Sequence, residues 1–211
     1  MDVGTGSGAI AIALAHHLPD AHITATDISP AALEVAAANA ARHHVTNQIH
    51  FLESDLLSEL QANPAPHSSR SDERDRQAPA FTREARREQY EVPRREQYEV
   101  PRREQYEVPR REQYEVLVSN PPYVSTTDRE TLHPQVRDHE PSTALFAGAS
   151  GLDIYRRLIP QALAALKPNG LLALEIGQGQ RDAIAELLAD WNSLRFLNDL
   201  QQIPRVALAR K

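Results

Sequence analysis

Residues 114–123 read Tyr-Glu-Val-Leu-Val-Ser-Asn-Pro-Pro-Tyr, an apolar stretch that runs straight into two consecutive prolines. Pro121 and Pro122 fix the backbone and remove two amide donors. The corner they form therefore offers carbonyl oxygens, the Asn120 side-chain amide and the Tyr123 ring. Such a corner suits a planar group that carries an NH2. Near the start of the sequence, Asp2-Val3-Gly4-Thr5-Gly6-Ser7-Gly8 is a glycine-rich turn opening a helix, where backbone can approach a nucleotide-like ligand closely. A cofactor turn and an acceptor clamp for an amino group together imply chemistry on nitrogen.

Two carboxylates complete the candidate site. Asp27 lies about twenty residues beyond the glycines, where an acceptor for ribose hydroxyls is expected. Asp55 follows the third strand, where a carboxylate can accept from an adenine amino group. Both have plainer readings, Asp27 as a helix cap and Asp55 as a loop residue. The turn Gly4-Thr5-Gly6-Ser7-Gly8-Ala9 also satisfies the dinucleotide pattern, so a nicotinamide cofactor stays open on this turn alone. Other chemistry is poorly supported. His16-His17 and His43-His44 are adjacent pairs, and adjacent residues do not share a helix face, so no metal site is expected. Ser7 lacks the His-Asp arrangement of a nucleophile.

The elements that must position these residues alternate strand and helix. Met1–Val3 is a strand stub. Residues 7–18 form an alanine-rich helix with Ile10, Ile12, Leu14 and Leu18 as apolar candidates. A strand over 22–26 ends at Asp27. Ser29-Pro30 starts a helix reaching about His44, with an N-cap oxygen followed by proline in the first turn. A strand over 49–53 ends near Asp55, and another precedes Asn120. Ser150 and Asp153 predict a capping box for a helix to Leu166, residues 167–170 a turn, 171–176 a buried strand and 182–190 a helix. Two final strands, 196–200 and 206–209, are expected to join through Pro204. This alternation predicts an α/β fold: a mostly parallel, Rossmann-like sheet with helices on both faces and an antiparallel strand near the C-terminus. Ligands bind such sheets at the carboxyl ends of the strands, where Gly4–Gly8, Asp27, Asp55 and Asn120 all fall.

Bulk properties narrow the class. The chain has 211 residues with 41% hydrophobic content, a mean hydropathy of −0.52, no cysteine and a net charge of −6. Residues 70–112 hold 12 of the 23 basic and 11 of the 29 acidic side chains, so the remainder is acidic. An acidic body without a basic stripe argues against gripping a phosphate backbone. No apolar run approaches the roughly 18 residues that span a bilayer, and the first apolar stretch lacks a basic leader. A cytoplasmic protein with no membrane partner is expected.

The middle of the chain is a tandem repeat. Arg-Arg-Glu-Gln-Tyr-Glu-Val-Pro begins at Arg86, Arg94 and Arg102, and a fourth copy at Arg110 carries Leu117 in place of the proline. Stacking repeats need a longer unit than eight residues, and recurrent proline opposes helix and central strand alike. Residues 61–112 therefore read as a solvated, disordered insertion between two parts of one catalytic domain, 1–60 and 113–211. Only the fourth copy continues into Leu117-Val118, as though the true lead-in to that strand had been duplicated. A role for the repeated tyrosines or arginines in docking a partner is the weaker alternative.

Asp2–Gly8 followed by Asn120–Tyr123 resembles a class I S-adenosylmethionine-dependent methyltransferase acting on an amino or amide nitrogen. The flanks Val136-Arg137-Asp138-His139-Glu140-Pro141 with Ala144-Leu145, Gly151-Leu152-Asp153 and Leu174-Glu175-Ile176-Gly177 resemble the release factor glutamine methyltransferases. That resemblance implies methylation of the glutamine amide nitrogen in the Gly-Gly-Gln motif of peptide chain release factors, with S-adenosylmethionine as cofactor. It implies that Gly4, Thr5, Gly6, Ser7 and Gly8 hold the methionine moiety and Asp27 the ribose. Asp55 and Leu56 would lie beside the adenine, Leu56 where the family often has an aromatic. Asn120 would serve both cofactor and substrate, with Pro121, Pro122 and Tyr123 forming the substrate clamp. The family also carries a helical N-terminal recognition domain and a longer first strand, neither of which has a counterpart ahead of Asp2 here. Competing readings are an amino-methyltransferase acting on a nucleic-acid base and an inactive, truncated cofactor-binding fragment. If the repeats are solvated copies, deleting residues 86–109 should leave the melting temperature and methyl-transfer rate unchanged; a large loss of either assigns the repeats a role.

Overall fold

The computed structural model describes residues 1–61, 113–132, 135, 137 and 141–211; of the insertion predicted over 61–112, Gln61 ends a helical turn and the rest lies outside the described residues. Seven strands form one sheet: β1 (Asp2–Val3), β2 (Ile23–Asp27), β3 (Ile49–Glu53), β4 (Tyr114–Ser119), β5 (Leu166–Glu175), β6 (Asn192–Asn198) and β7 (Pro204–Arg210). Their order is β3-β2-β1-β4-β5-β7-β6. Pairing is parallel from β3 through to β5, and β7 runs antiparallel to both β5 and β6. The order reverses between β1 and β4. Right-handed crossovers then put the helices after β1 and β2 on one face and those after β4 on the other.

Helices α1 (Ala9–His17), α2 (Pro30–Arg42) and the single turn α3 (Ser58–Gln61) follow the first three strands. Further along lie the single turn α4 (Ser142–Leu145), α5 (Asp153–Ala165) and α6 (Arg181–Leu187). The α2 start follows the sequence rule: Ser29 is the N-cap, its hydroxyl accepts from the Ala32 amide, and Pro30 occupies the first turn.

Helix α1 begins two residues later than predicted, because Gly8 takes the left-handed conformation at its N-cap (φ 82°). It buries Ala11, Ile12 and Ala15, while Leu18 is 50% exposed. Alanines share the buried face with Ile12 because α1 and α2 approach closely. A Cβ on Gly8 would lie 3.1 Å from the Ala36 Cβ and 3.2 Å from its Cα.

Three further expectations are corrected. No capping box forms at Ser150: the N-cap of α5 is Leu152, without a side-chain cap. The Ser150 hydroxyl instead accepts from Arg156, and the Asp153 amide donates to the Ala147 carbonyl. Residues 167–170 form an excursion inside β5, with Leu166 paired to Tyr114 and Leu171 to Val116. The penultimate strand is Asn192–Asn198 and stops before Leu200. Both Asp199 oxygens are engaged there, Oδ1 by the Gln201 and Ile203 amides and Oδ2 by Arg205, closing a tight turn. Pro204 is the first residue of β7, a strand position that proline tolerates.

The core has two clusters. One gathers Val3, Leu117, Tyr155, Leu158, Leu172, Leu174 and Ile176 among others; the second is built from Ala11, Ala15, Ile23, Ala25, Ala40 and Ile49 with their neighbours. Alternate residues of β5, namely Leu172 and Leu174, are fully buried. Gly8→Ala should destabilise the fold by about 2–4 kcal/mol, from the left-handed backbone and the clash with Ala36 together. Urea denaturation measures this, and an unchanged midpoint would contradict the packing described.

Candidate active site

Four strand ends meet at the reversal of strand order, and each is tied to its neighbour. The Thr5 amide donates to the Thr26 carbonyl (2.8 Å), joining the glycine turn to β2, and the Ser54 amide donates to the Asp27 carbonyl (2.9 Å), joining β3 to β2. On the other side the buried Ser119 hydroxyl donates to the Val3 carbonyl (2.7 Å), joining β4 to β1. The proline corner and the glycine turn thus leave adjacent parallel strands, β4 and β1, in the same direction.

The glycine turn is held from within by Asp2. This side chain is fully buried, and its Oδ2 accepts from the Thr5 hydroxyl (2.6 Å) and the Ala11 amide (3.1 Å). Burial raises the Asp2 pKa, while those two hydrogen bonds oppose the shift. Its other oxygen, Oδ1, is buried with no hydrogen-bond partner among the described residues. A buried orphan acceptor is costly, and a cationic or N–H donor group would satisfy it. Gly4 and Gly6 face open space: a Cβ on either would meet nothing within 4 Å among the described residues. From α2, Asn39 donates to the Ser7 carbonyl (2.9 Å) and steadies the outer side of the turn.

Asp27 is partly committed to the same turn. Its Oδ2 accepts from the Gly6 amide (2.9 Å) and its Oδ1 from the Ser29 amide (2.9 Å). A carboxylate has about four acceptor positions, so each oxygen keeps one for a ribose hydroxyl. Asp55 is about half exposed and pairs with Arg157 of α5 (2.5 Å). Leu56 has a left-handed backbone (φ 56°), its carbonyl accepts from the Thr26 hydroxyl (3.3 Å), and its side chain packs against the larger core cluster.

In the corner, Pro121 is buried, Pro122 and Tyr123 are partly buried, and Asn120 is exposed. No hydrogen bond to another described residue ties down the Asn120 side chain. Tyr123 is held from two directions: its hydroxyl donates to Glu175 Oε1 (3.2 Å), and its carbonyl accepts from Gln180 Nε2 (2.9 Å). Tyr155 underlies this contact, donating to the Glu175 carbonyl (2.7 Å). Burial first, then the neighbouring Tyr123 and Glu175, push the Tyr155 hydroxyl far above its usual range, so it remains a proton donor.

Sequence reasoning did not single out Asn39, Ser119, Glu175 or Gln180 for these roles. Asn39 is the one amide in an alanine-rich stretch, and Glu175 is an acid ending an apolar strand; both are visible signals. Ser119 and Gln180 carry none. The segment 136–140 that supported the resemblance lies outside the described residues apart from Arg137. All four doubled histidines are exposed, with the His16 and His43 rings edge to face at 5.8 Å. Among the described residues, no group of three or more His, Asp or Glu side chains could hold a metal ion, and no helix is long and apolar enough to cross a membrane.

Comparison with known proteins agrees with this architecture. A family model described as a methyltransferase domain matches residues 1–68. The release factor glutamine methyltransferase of Koribacter versatilis is 36% identical over 211 residues, covering 100% of this chain and 58% of that protein. The enzyme of the same name from Moorella thermoacetica is 37% identical, covering 88% of this chain and 48% of that protein. In fold, the ribosomal protein L11 methylase of Lactobacillus delbrueckii subsp. bulgaricus superposes with a TM-score of 0.53 at 20% identity, covering 100% of this chain and 68% of that one. Sheet order and superposition thus show the Rossmann-like fold of class I methyltransferases. By sequence the chain is similar to release factor glutamine methyltransferases, and it spans about half the length of the curated relatives it matches.

The orphan oxygen of Asp2 makes a pH prediction. If it receives an ammonium group of S-adenosylmethionine, the ionised carboxylate is the binding form. Affinity measured by calorimetry should then fall on acidification, beginning at a higher pH than an ordinary aspartate would give, because the Asp2 pKa is raised. Asp2→Asn should bind more weakly at neutral pH and lose that dependence. Wild-type affinity in this variant would remove Asp2 from the cofactor site.

Proposed function

We propose that this chain transfers a methyl group from S-adenosylmethionine to the side-chain amide nitrogen of the glutamine in the Gly-Gly-Gln motif of peptide chain release factors. The observation that carries this reading is the exposed Asn120 at the head of a braced diproline corner, one strand from the glycine turn. The names of the relatives support the substrate, and such a substrate places the reaction in the cytoplasm. The acidic body of the chain opposes the reading as a base methylase, which would have to approach a phosphate backbone.

The cofactor fits the residues present: Asp2 Oδ1 lacks a donor, the space at Gly4 and Gly6 is open, and Asp27 keeps acceptor capacity. S-adenosylmethionine, when bound, supplies the methyl carbon, which the substrate nitrogen's lone pair takes while the carbon–sulfur electron pair returns to sulfur. An amide nitrogen is a poor nucleophile because its lone pair is delocalised into the carbonyl. The Asn120 side-chain oxygen and the Pro121 carbonyl accept the two N–H bonds and turn the lone pair toward the methyl. They also stabilise positive charge as it develops on nitrogen, after which one N–H proton leaves to water. Pro122 stiffens the corner, and the Tyr123 ring packs on the amide plane. Alignment and preorganised acceptors supply the rate, with no base needed beforehand.

Asn120→Ala should lower kcat for methylation of a release factor at least roughly 100-fold. Thermal stability should stay unchanged, since Asn120 is exposed and bonded to no described residue. Mass spectrometry of the Gly-Gly-Gln peptide measures the product. Near-normal methylation by this variant would overturn the assignment.

A further inference from the structure

The diproline corner has a weakness built into it. Pro121 and Pro122 have no amide hydrogens, so the corner cannot anchor itself through N–H donation and must be held through carbonyls and side chains. Gln180, just ahead of α6, makes such a connection with one side-chain amide. Its Nε2 donates to the Tyr123 carbonyl (2.9 Å) and to the Gly151 carbonyl (3.2 Å), while its Oε1 accepts from the Gly177 amide (2.9 Å). The partners fix the orientation: two carbonyls require the NH2 end and an N–H requires the oxygen. Three segments, the exit of the corner, the turn before α5 and the end of β5, therefore meet on one side chain.

Two glycines make room for it. A Cβ on Gly177 would lie 2.8 Å from Gln180 Oε1 and 3.1 Å from the Tyr123 ring. Gly177 has no left-handed backbone that would otherwise demand glycine; the seat of Gln180 accounts for it. A Cβ on Gly151 would lie 2.3 Å from the Tyr123 carbonyl oxygen and 2.8 Å from Gln180 Nε2. Beyond Tyr123 the chain is fastened by a bridge between Val124 and Phe146. Gln180 thus fastens Tyr123 immediately ahead of that bridge, with Glu175 holding the ring.

We propose that Gln180 is a positioning residue for methyl transfer, setting the reach and angle of the corner acceptors through the Tyr123 carbonyl. This rests on the methyl-transfer reading above. Two near-isosteric variants test it. Gln180→Met fills the seat but makes none of the three hydrogen bonds. Gln180→Glu keeps the acceptor for Gly177 but, when ionised, sets negative charge against two carbonyls; when protonated it can donate to one.

Both variants should lose roughly 10- to 100-fold in kcat for release-factor methylation, with KM for S-adenosylmethionine within about twofold, because the glycine turn is untouched. The Tyr123 and Gly151 carbonyls that face the new carboxyl disfavour its charge and raise its pKa above that of a free glutamate. The rate of Gln180→Glu relative to wild type should therefore climb as the pH falls from about 8 to about 5.5, while the ratio for Gln180→Met stays flat. A merely structural role would not produce that difference. Wild-type kcat in both variants would overturn the proposal. Amide hydrogen exchange keeps this separate from the function itself: if the wild-type chain methylates no release factor, the methyl-transfer reading fails. Gln180→Met should still speed exchange at Tyr123–Thr126 while β4 and β5 stay protected. Unchanged exchange at Tyr123–Thr126 would sink the positioning role.

Discussion

Asp2 pairs with Val118 and Val3 with Ser119, and on this short parallel contact the whole site depends. The first strand is only two residues long, yet it lies in the middle of the sheet with a neighbour on each side. Its end launches the glycine turn, and the end of β4 launches the proline corner. Strands pair about 4.8 Å apart, so the two loops emerge side by side. The buried hydrogen bond from Ser119 to the Val3 carbonyl locks that register. Leaving such a buried carbonyl unpaired costs about 1–3 kcal/mol, which makes a slipped pairing expensive despite the few residues involved.

The same economy runs through the polar groups below the site. Asp2 is buried and satisfies the turn with one oxygen while the other lacks a partner. Asp27 reaches back to the Gly6 amide, and Asn39 reaches in from α2. On the proposed reading, the cofactor side is shaped by the Asp2 and Asp27 acceptors, with the Asn39 amide bracing the turn from outside. The proposed substrate side is a corner poor in donors and fastened from outside by Glu175 and Gln180. Rigid acceptors suit the transfer of methyl to an amide, which needs alignment more than proton abstraction.

Much of this was legible in the residues. Glycine at 4, 6 and 8, proline at 121 and 122, and the Ser29-Pro30 helix start each carry a local backbone rule that tertiary context did not override. The mostly parallel sheet with helices on both faces follows from strand-helix alternation. What could not be read is chiefly non-local. The partners of Ser119 and Gln180 lie 116 and 57 residues away in sequence, and no periodicity announces them. Local patterns also misled. Ser150-Gly-Leu-Asp153 looks like a capping box, yet the Gly151 backbone (φ 69°) turns the serine away, and Leu152 takes the cap position. In α1 the apolar candidates were the larger aliphatics, but of these only Ile12 is buried, and it shares that face with Ala11 and Ala15. Asp55 remains a candidate acceptor for an adenine amino group; what no local pattern announces is its pairing with Arg157 of α5, a helix about a hundred residues downstream.

The central claim is geometric, and a ternary complex tests it most directly. Crystals of the chain with S-adenosylhomocysteine and a peptide containing Gly-Gly-Gln should show the thioether sulfur over the turn at Gly4–Gly8. The glutamine NH2 should be shared between the Asn120 side-chain oxygen and the Pro121 carbonyl. A glutamine amide bound away from that corner, or a cofactor seated away from the glycine turn, would contradict the account.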